Sequence, residues 1–526
     1  MTSQDEPDLL LSRTPTKGTA SPPATAGARE WLGLALLALP TILLGLDLTL
    51  LHLALPALAA DLQPSSMQAL WIMDAYGFMI AGFLITMGTL GDRIGRRKLL
   101  MLGAAAFAVA SALAAFATSA LMLIAARAVL GVAAATLMPS TLALITNMFA
   151  DPRQRALGFG IWATMFAFGM ALGPVVGGVL LEHFWWGAAF LIAVPVVGLL
   201  LLLAPALLPE YRAPHGSRLD LASVGLSLAA MLPAVYGIKQ VAKDGFGPHP
   251  VGAIAVGLAF ATLFVRRQQR LADPLLDISL FANRASSVAL IVLLFGLVAV
   301  GGTMLLVTQY LQLVAGFSPL VAGLWMGPPA LAMVAAGVTA PLIARRVRPG
   351  FVVAGALGLS VVGYLLLTRL DNSASDVTIV VAGFSLAYLG LGTIAALGTD
   401  LVVGSAPADK AGSASAMSET VQDLGVSLGI AVLGSLATAI YRRAMLGRMP
   451  DHLGHEAHEA VGDSLWAASS VASQLPAGLM EEAQAAFTAG FSTAAMFSAV
   501  GVSVLAILAA VSLRHIGVID ASEPPR

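Results

Sequence analysis

Four carboxylates interrupt segments that are otherwise close to pure hydrocarbon: Asp47, Asp74, Glu419 and Asp423. A charge at the centre of a bilayer costs about 2.5 to 3.5 kcal/mol even on lenient insertion scales, so acids there hold a proton, a cation, or each in turn. Glu419 and Asp423 stand four residues apart, which on a helix stacks them on one face. If a proton and a cation cannot share such a carboxylate, each expels the other, and a proton gradient can drive a cation the opposite way. Arg127, in ARAVLG, lies at a depth comparable with Asp47 and Asp74, so an ion pair with a neighbouring acid is expected.

Those residues need a membrane scaffold, and composition supplies one. Hydrophobic residues fill 58% of the 526 positions and charged residues 11%, against about 25% charged in soluble domains. The chain reads as an all-α polytopic membrane protein. Its net charge of −1 points to no nucleic-acid partner, and without cysteine there is no disulfide or thiolate site. No phosphate loop, nucleophile elbow or metal triad is present, so neither an enzyme nor an ATP-driven machine is indicated. His452, His455 and His458 are spaced to fan around a helix, a poor chelate, and no metal site is expected.

Apolar runs broken by charge, Pro or Gly give fourteen candidate spans, near 31–57, 68–90, 99–116, 119–147, 155–181, 187–208, 219–240, 249–266, 285–312, 319–343, 350–369, 377–404, 411–440 and 488–513. With the N-terminus inside, the inner loops and tails carry 21 Lys and Arg and the outer loops six, Lys239 among them. The positive-inside rule therefore places both termini in the cytoplasm. Residues 1–30 read as a disordered tail and 514–526 as a short cytoplasmic one. Residues 441–487 form a long outer loop, which Pro476 is expected to break into two helical pieces.

Three motifs narrow the reading. After the second span comes GTLGDRIGRRKLL, residues 88–100, in which Gly88 and Gly91 allow close helix approach and Gly95 a tight turn. Asp92 can bond a neighbouring helix end, and Arg93, Arg96, Arg97 and Lys98 anchor the inner side. Gly337, Pro341, Arg345 and Arg346 echo this pattern in the second half, as internal repeats would. The fifth span holds GMALGPVVGG, with Gly169, Gly173 and Gly177 on one face, then Gly178, and with Pro174 forcing a bend. The first, second and thirteenth spans carry LDLTLLHLALP, LWIMDAYGFMIAG and SASAMSETVQDLGVSLGIAVLG.

Together these resemble the major facilitator superfamily, and within it the fourteen-helix drug:proton antiporters of the QacA-like branch, to which SmvA and LfrA also belong. The resemblance implies two six-helix bundles, 31–208 and 285–513, with two inserted helices between them in 209–284. It implies a monomer in a bacterial cytoplasmic membrane, driven by the proton gradient without a cofactor. Its partners would be protons and lipophilic cations such as quaternary ammonium antiseptics, dyes and biguanides. By the same resemblance Asp47, Glu419 and Asp423 take part in coupling or binding, and the Arg127-to-Gly131 pattern in proton coupling. Gly88, Asp92, Arg93, Gly95 and Arg96 would latch the halves on the inner side, and the Gly169–Gly178 motif would pack the bundles and resist leak. The tenth span, GLWMGPPALAM, lacks the acid that some relatives have there.

Physical chemistry agrees with a cation as cargo: carboxylate offsets its charge and aromatic faces add cation–π attraction. Trp71, Tyr76, Trp162, Phe166, Tyr310 and Trp325 fall where they could line a cavity, with Met165, Met170, Met304 and Met326 as deformable walls. The rival reading is a dedicated exporter of an endogenous metabolite or self-made antibiotic, whose transport of a neutral or anionic substrate would not depend on the charge of Asp423.

Overall fold

Inside a bilayer every backbone polar group must be satisfied internally, and uninterrupted apolar runs do this as helices. The computed structural model describes residues 26–212, 220–271, 274, 283–370, 376–405, 411–450 and 453–517. Asp409, Lys410, His452, most of the N-terminal tail and part of the C-terminal one lie outside the described residues. Fourteen helices are long and apolar enough to cross a membrane: α1 (Ala28–Leu62), α2 (Ser66–Ile94), α3 (Arg96–Ala115), α4 (Ala120–Met148), α5 (Leu157–His183), α6 (Ala188–Leu207), α7 (Leu221–Asp244), α8 (Pro248–Gln268), α9 (Arg284–Val314), α10 (Pro319–Ala344), α11 (Pro349–Leu366), α12 (Asp376–Gly404), α13 (Ala414–Met445) and α14 (Leu479–Ser512). The protein is a multi-pass membrane protein.

The helices pack as two six-helix bundles with the same pairings, offset by eight. In the first, α1 lies on α5, α2 on α4, and α3 on α4 and α6; in the second, α9 lies on α13, α10 on α12, and α11 on α12 and α14. Glycine makes several of these contacts possible. A Cβ on Gly131 of α4 would meet the Tyr76 carbonyl carbon of α2 at 3.1 Å, and one on Gly392 of α12 would meet the Met333 carbonyl carbon of α10 at 2.9 Å. The remaining helices, α7 and α8, form a hairpin against α2 and α13. At one end of that hairpin Asp220 caps α7 and is bonded by Arg267 at 2.8 Å and by Ser223. Burial alone would push the Asp220 carboxyl up, but these bonds and the guanidinium charge hold it below its ordinary value.

The two ends of the molecule differ. One, the basic end, carries the Gly88–Lys98 motif; the other, the loop end, carries residues 446–450 and 453–478. Helices in that loop run His455–Asp463 and Leu465–Ser470. The break between them falls at Ser464, which is extended and caps the second piece through Ala467 N. Pro476 instead precedes α14, which begins nine residues earlier than the apolar run suggested. Glu481 and Glu482 thus sit in its first turn, where carboxylates favour the helix dipole.

Candidate functional site

Arg127 is buried, and its guanidinium reaches both α1 and α2. Its Nη1 pairs with Asp47 Oδ2 on α1 at 2.8 Å, its Nε donates to the Ile72 carbonyl of α2 at 3.2 Å, and its Cζ stands 4.4 Å from the Tyr76 ring centroid. A planar, always-charged fork suits this three-way role where a lysine would not. Gly131, one turn further along α4, lets that helix come close enough to α2 for the reach. Side-chain exposure of 2% for Arg127 and 13% for Asp47 makes this an interior pair.

Asp74 does not join it. Although its depth matches that of Arg127, it points to the other side of α2 and pairs with Lys239 Nζ of α7 at 2.9 Å, both side chains being at most 1% exposed. The positive-inside count treats Lys239 as an outer-loop charge; the structure buries it inside the last turns of α7. The signal is present in the sequence: Leu232, Val235 and Lys239 recur at i, i+3, i+7, so the lysine continues the buried stripe of its helix. The ammonium also stands 3.7 Å from the Trp71 ring centroid. Trp71 therefore faces the hairpin and not a central cavity.

Glu419 and Asp423 lie on α13 where it crosses α2. Gly77 is the point of approach: a Cβ there would stand 3.4 Å from Ser427 Cβ and 3.6 Å from the Asp423 carbonyl oxygen. Both acids are half-buried, and among the described residues neither forms an ion pair. Among the described residues, Asp423 Oδ2 is buried with no hydrogen-bond partner. Tyr76, fully buried against Arg127, lies within electrostatic reach of Asp47 and of Asp423 in the second half. On the other flank, Ser418 and Gln422 of α13 reach Thr399 of α12 at 3.1 and 3.5 Å, giving the acids a polar shoulder.

The aromatic residues divide. Trp162 and Phe166 stack on α5 with centroids 6.3 Å apart and planes 7° apart; both are half-buried, and the indole donates to Thr141 at 3.0 Å. Trp325 is 38% exposed at a break in α10, where Pro328 and Pro329 follow. Tyr310 is different: it is core of the second bundle, packed on Phe491 and donating to Asp376 at 3.3 Å, so it lines nothing. Met304 and Met326 are likewise buried in that core, Met304 accepting from Tyr388, whereas Met165 is half-buried on α5.

The glycine motif of α5 has two faces. Gly169, Gly173 and Gly177 seat α5 on α1, against Ile42, Leu46, Thr49 and Leu50, all within the first bundle. Pro174 and Gly178 meet α10 of the second bundle instead, where a Cβ on Gly178 would lie 2.7 Å from Leu320 Cα. Only this second face joins the halves. Gly178→Leu is therefore expected to wedge them apart at the loop end. A cysteine placed at Leu53, beside this seam, should then react with a maleimide at least about five times faster than in the parent, since burial there excludes the reagent.

The loop end is further closed by residues distant in sequence: Ser66 N and Oγ donate to Asp463 at 2.7 and 3.0 Å, and Tyr441 Oη donates to the Val461 carbonyl at 2.9 Å. At the basic end, the charged motif is satisfied within the first bundle and its outgoing linker. Arg96 pairs with Asp92 at 2.6 Å, Arg97 N donates to Glu210 at 3.1 Å, and Arg93 is exposed. Gly95, at φ 112°, makes the turn that places them. Gly88 is not sterically required, because a Cβ there meets Pro139 only at 3.6 Å. Among the described residues, the partner of Asp92 is Arg96 of its own bundle.

Three comparisons bear on identity. A family model described as Major Facilitator Superfamily matches residues 37–430. The multidrug efflux pump LfrA of Mycolicibacterium smegmatis is 43% identical over 95% of this chain and 99% of its own. The methyl viologen resistance protein SmvA of Salmonella typhimurium is 34% identical over 85% of this chain and 90% of its own. Among solved structures, a bacterial homologue of the lysosomal transporter Spinster, in an inward-facing and unoccupied conformation, superposes with a TM-score of 0.65 at 16% identity over 93% of this chain and 98% of its own, which speaks to fold alone. Twelve spans in two pseudo-repeated bundles with a two-helix hairpin beside them, a glycine-rich α5 and acids within α1 and α13 meet these matches, and the chain belongs to the major facilitator superfamily, in its branch of LfrA- and SmvA-like transporters.

Proposed function

We propose that this protein exports lipophilic cations from the cytoplasm in exchange for protons, with its basic end and both termini cytoplasmic. The observation that carries the reading is Asp423: a mid-span carboxylate with one buried oxygen unpartnered, four residues from Glu419 and next to a Tyr76 that already touches the Arg127–Asp47 pair. Buried charges are ordinarily paired, and one left over at the seam between two moving bundles is suited to a transient cation or proton. Relatives named for multidrug efflux and methyl viologen resistance favour cationic drugs and dyes as cargo. The half-buried Trp162–Phe166 stack offers an apolar face to such a cargo. Everted vesicles carrying the protein are expected to accumulate ethidium on energisation and to lose that accumulation when a protonophore is added. Uptake that is indifferent to the protonophore would rule out proton coupling. Absence of uptake for ethidium and methyl viologen alike would point to the metabolite exporter.

A further inference from the structure

The α7–α8 hairpin touches both bundles, but not in the same way. Toward α2 it has an antiparallel register in which Lys239 meets Asp74, Val235 clusters with Phe78, and Leu228 and Met231 meet Gly82. Toward α13 the same helix offers Leu232 and Val235 to Leu424, Leu428 and Ala431, an apolar contact. The first contact holds a directional bond, with Lys239 Nζ 3.1 Å from Asp74 Oδ1 and 2.9 Å from Oδ2 while also facing Trp71. Among the described residues, the second holds none that a sliding motion would have to break. Apolar surfaces exchange partners readily, whereas separating one member of a buried pair strands a charge in hydrocarbon.

We propose that Asp74 and Trp71 form a carboxylate–indole site for a primary ammonium whose occupant is the chain's own Lys239, and that this tethered cation fixes the hairpin to the first bundle, leaving α13 to slide along α7 as the halves move. The hairpin then acts as a permanent cover over the α2–α13 seam, carried by one half. Lys239 is a positioning residue: it touches no cargo and decides which bundle the inserted helices follow. The claim about motion rests on the export reading; the claim about docking does not.

The chain has no cysteine, so introduced pairs are its only thiols. One pair, Gly82→Cys with Leu228→Cys, joins α7 to α2, where a Cβ at residue 82 would come 2.7 Å from Leu228 Cδ2. The other, Leu232→Cys with Leu428→Cys, joins α7 to α13 within one packed cluster. In the resting protein, adding Lys239→Met is expected to lower the yield of α7–α2 cross-link severalfold, and the charge exchange of Asp74→Lys with Lys239→Asp to restore it. An unchanged yield in Lys239→Met overturns the docking role, whether or not any cargo moves. In vesicles, cross-linking α7 to α2 should leave ethidium transport within about twofold of the uncross-linked parent, and cross-linking α7 to α13 should lower it more than tenfold. Loss of transport in the first, or full transport in the second, overturns the assignment to the first bundle. Parents that transport nothing before cross-linking speak against the export reading instead, and the yield comparison still decides the docking.

Discussion

Asp423→Asn is expected to lose proton-driven efflux while folding normally. The amide fills the carboxylate's volume, and Asp423 Oδ2 accepts no hydrogen bond from the described residues that the change would break. What disappears is the negative charge and the exchangeable proton. An opposite charge within a few ångströms shifts a coupled equilibrium by about one to two powers of ten or more, so cation binding should weaken roughly ten- to a hundredfold. Coupling should fail more completely than binding, since an amide takes up no proton at neutral pH. Efflux in everted vesicles should drop below a tenth of the parent, while the thermal unfolding midpoint in detergent stays within a few degrees. Glu419→Gln supplies the comparison, as it leaves Asp423 intact. Full protonophore-sensitive efflux by Asp423→Asn would move the exchange site to Asp47 or Glu419.

Arg127→Met should produce a large loss of stability. It leaves Asp47 without its partner at 13% exposure, strips a bond from the Ile72 carbonyl, and removes the cation from the face of Tyr76. Breaking a buried pair from one side costs about 3 to 5 kcal/mol, chiefly because the surviving charge is stranded. Arg127→Lys should fall between, since it keeps the charge but loses the fork that binds Asp47 and Ile72 together. Adding Asp47→Asn to Arg127→Met should recover much of the lost stability without recovering transport. Midpoints from thermal aggregation in detergent would report this order; equal midpoints for parent and Arg127→Met would show the pair to be dispensable for the fold.

Fourteen spans were legible because an apolar run of bilayer length has few other ways to satisfy its backbone, and the family motifs sit where residue spacing put them. Helix ends were less so. The run-based start of α14 missed two turns, since Glu481 and Glu482 look like loop until the helix dipole is considered. The acids on α1 and α13 and the reach of Arg127 to Asp47 could be anticipated from depth. Azimuth could not: depth alone made Asp74 as good a partner for Arg127, and only the packing of α7 on the far side of α2 shows which way it points. Lys239 was missed for the same reason, because a lysine near the end of a span reads as a headgroup contact unless its stripe is followed. Tyr310 and Trp71 were overassigned because aromatic residues serve core and cavity equally well.

The buried charges have a further consequence when summed across the middle of the bundle. Arg127 cancels Asp47 and Lys239 cancels Asp74, so among the described residues deep within the spans the surplus is the half-buried pair on α13, Glu419 and Asp423. If the site crosses the membrane only when that surplus is neutralised, two protons balance it on the inward pass. On the outward pass a monovalent cargo would leave with one proton and a divalent cargo with none. Each cycle then exchanges as many protons as the cargo has charges, and no net charge moves. Such a pump draws on the pH difference and is blind to the voltage. Collapsing the membrane potential with valinomycin and potassium should leave ethidium and methyl viologen efflux unchanged, whereas nigericin should stop both.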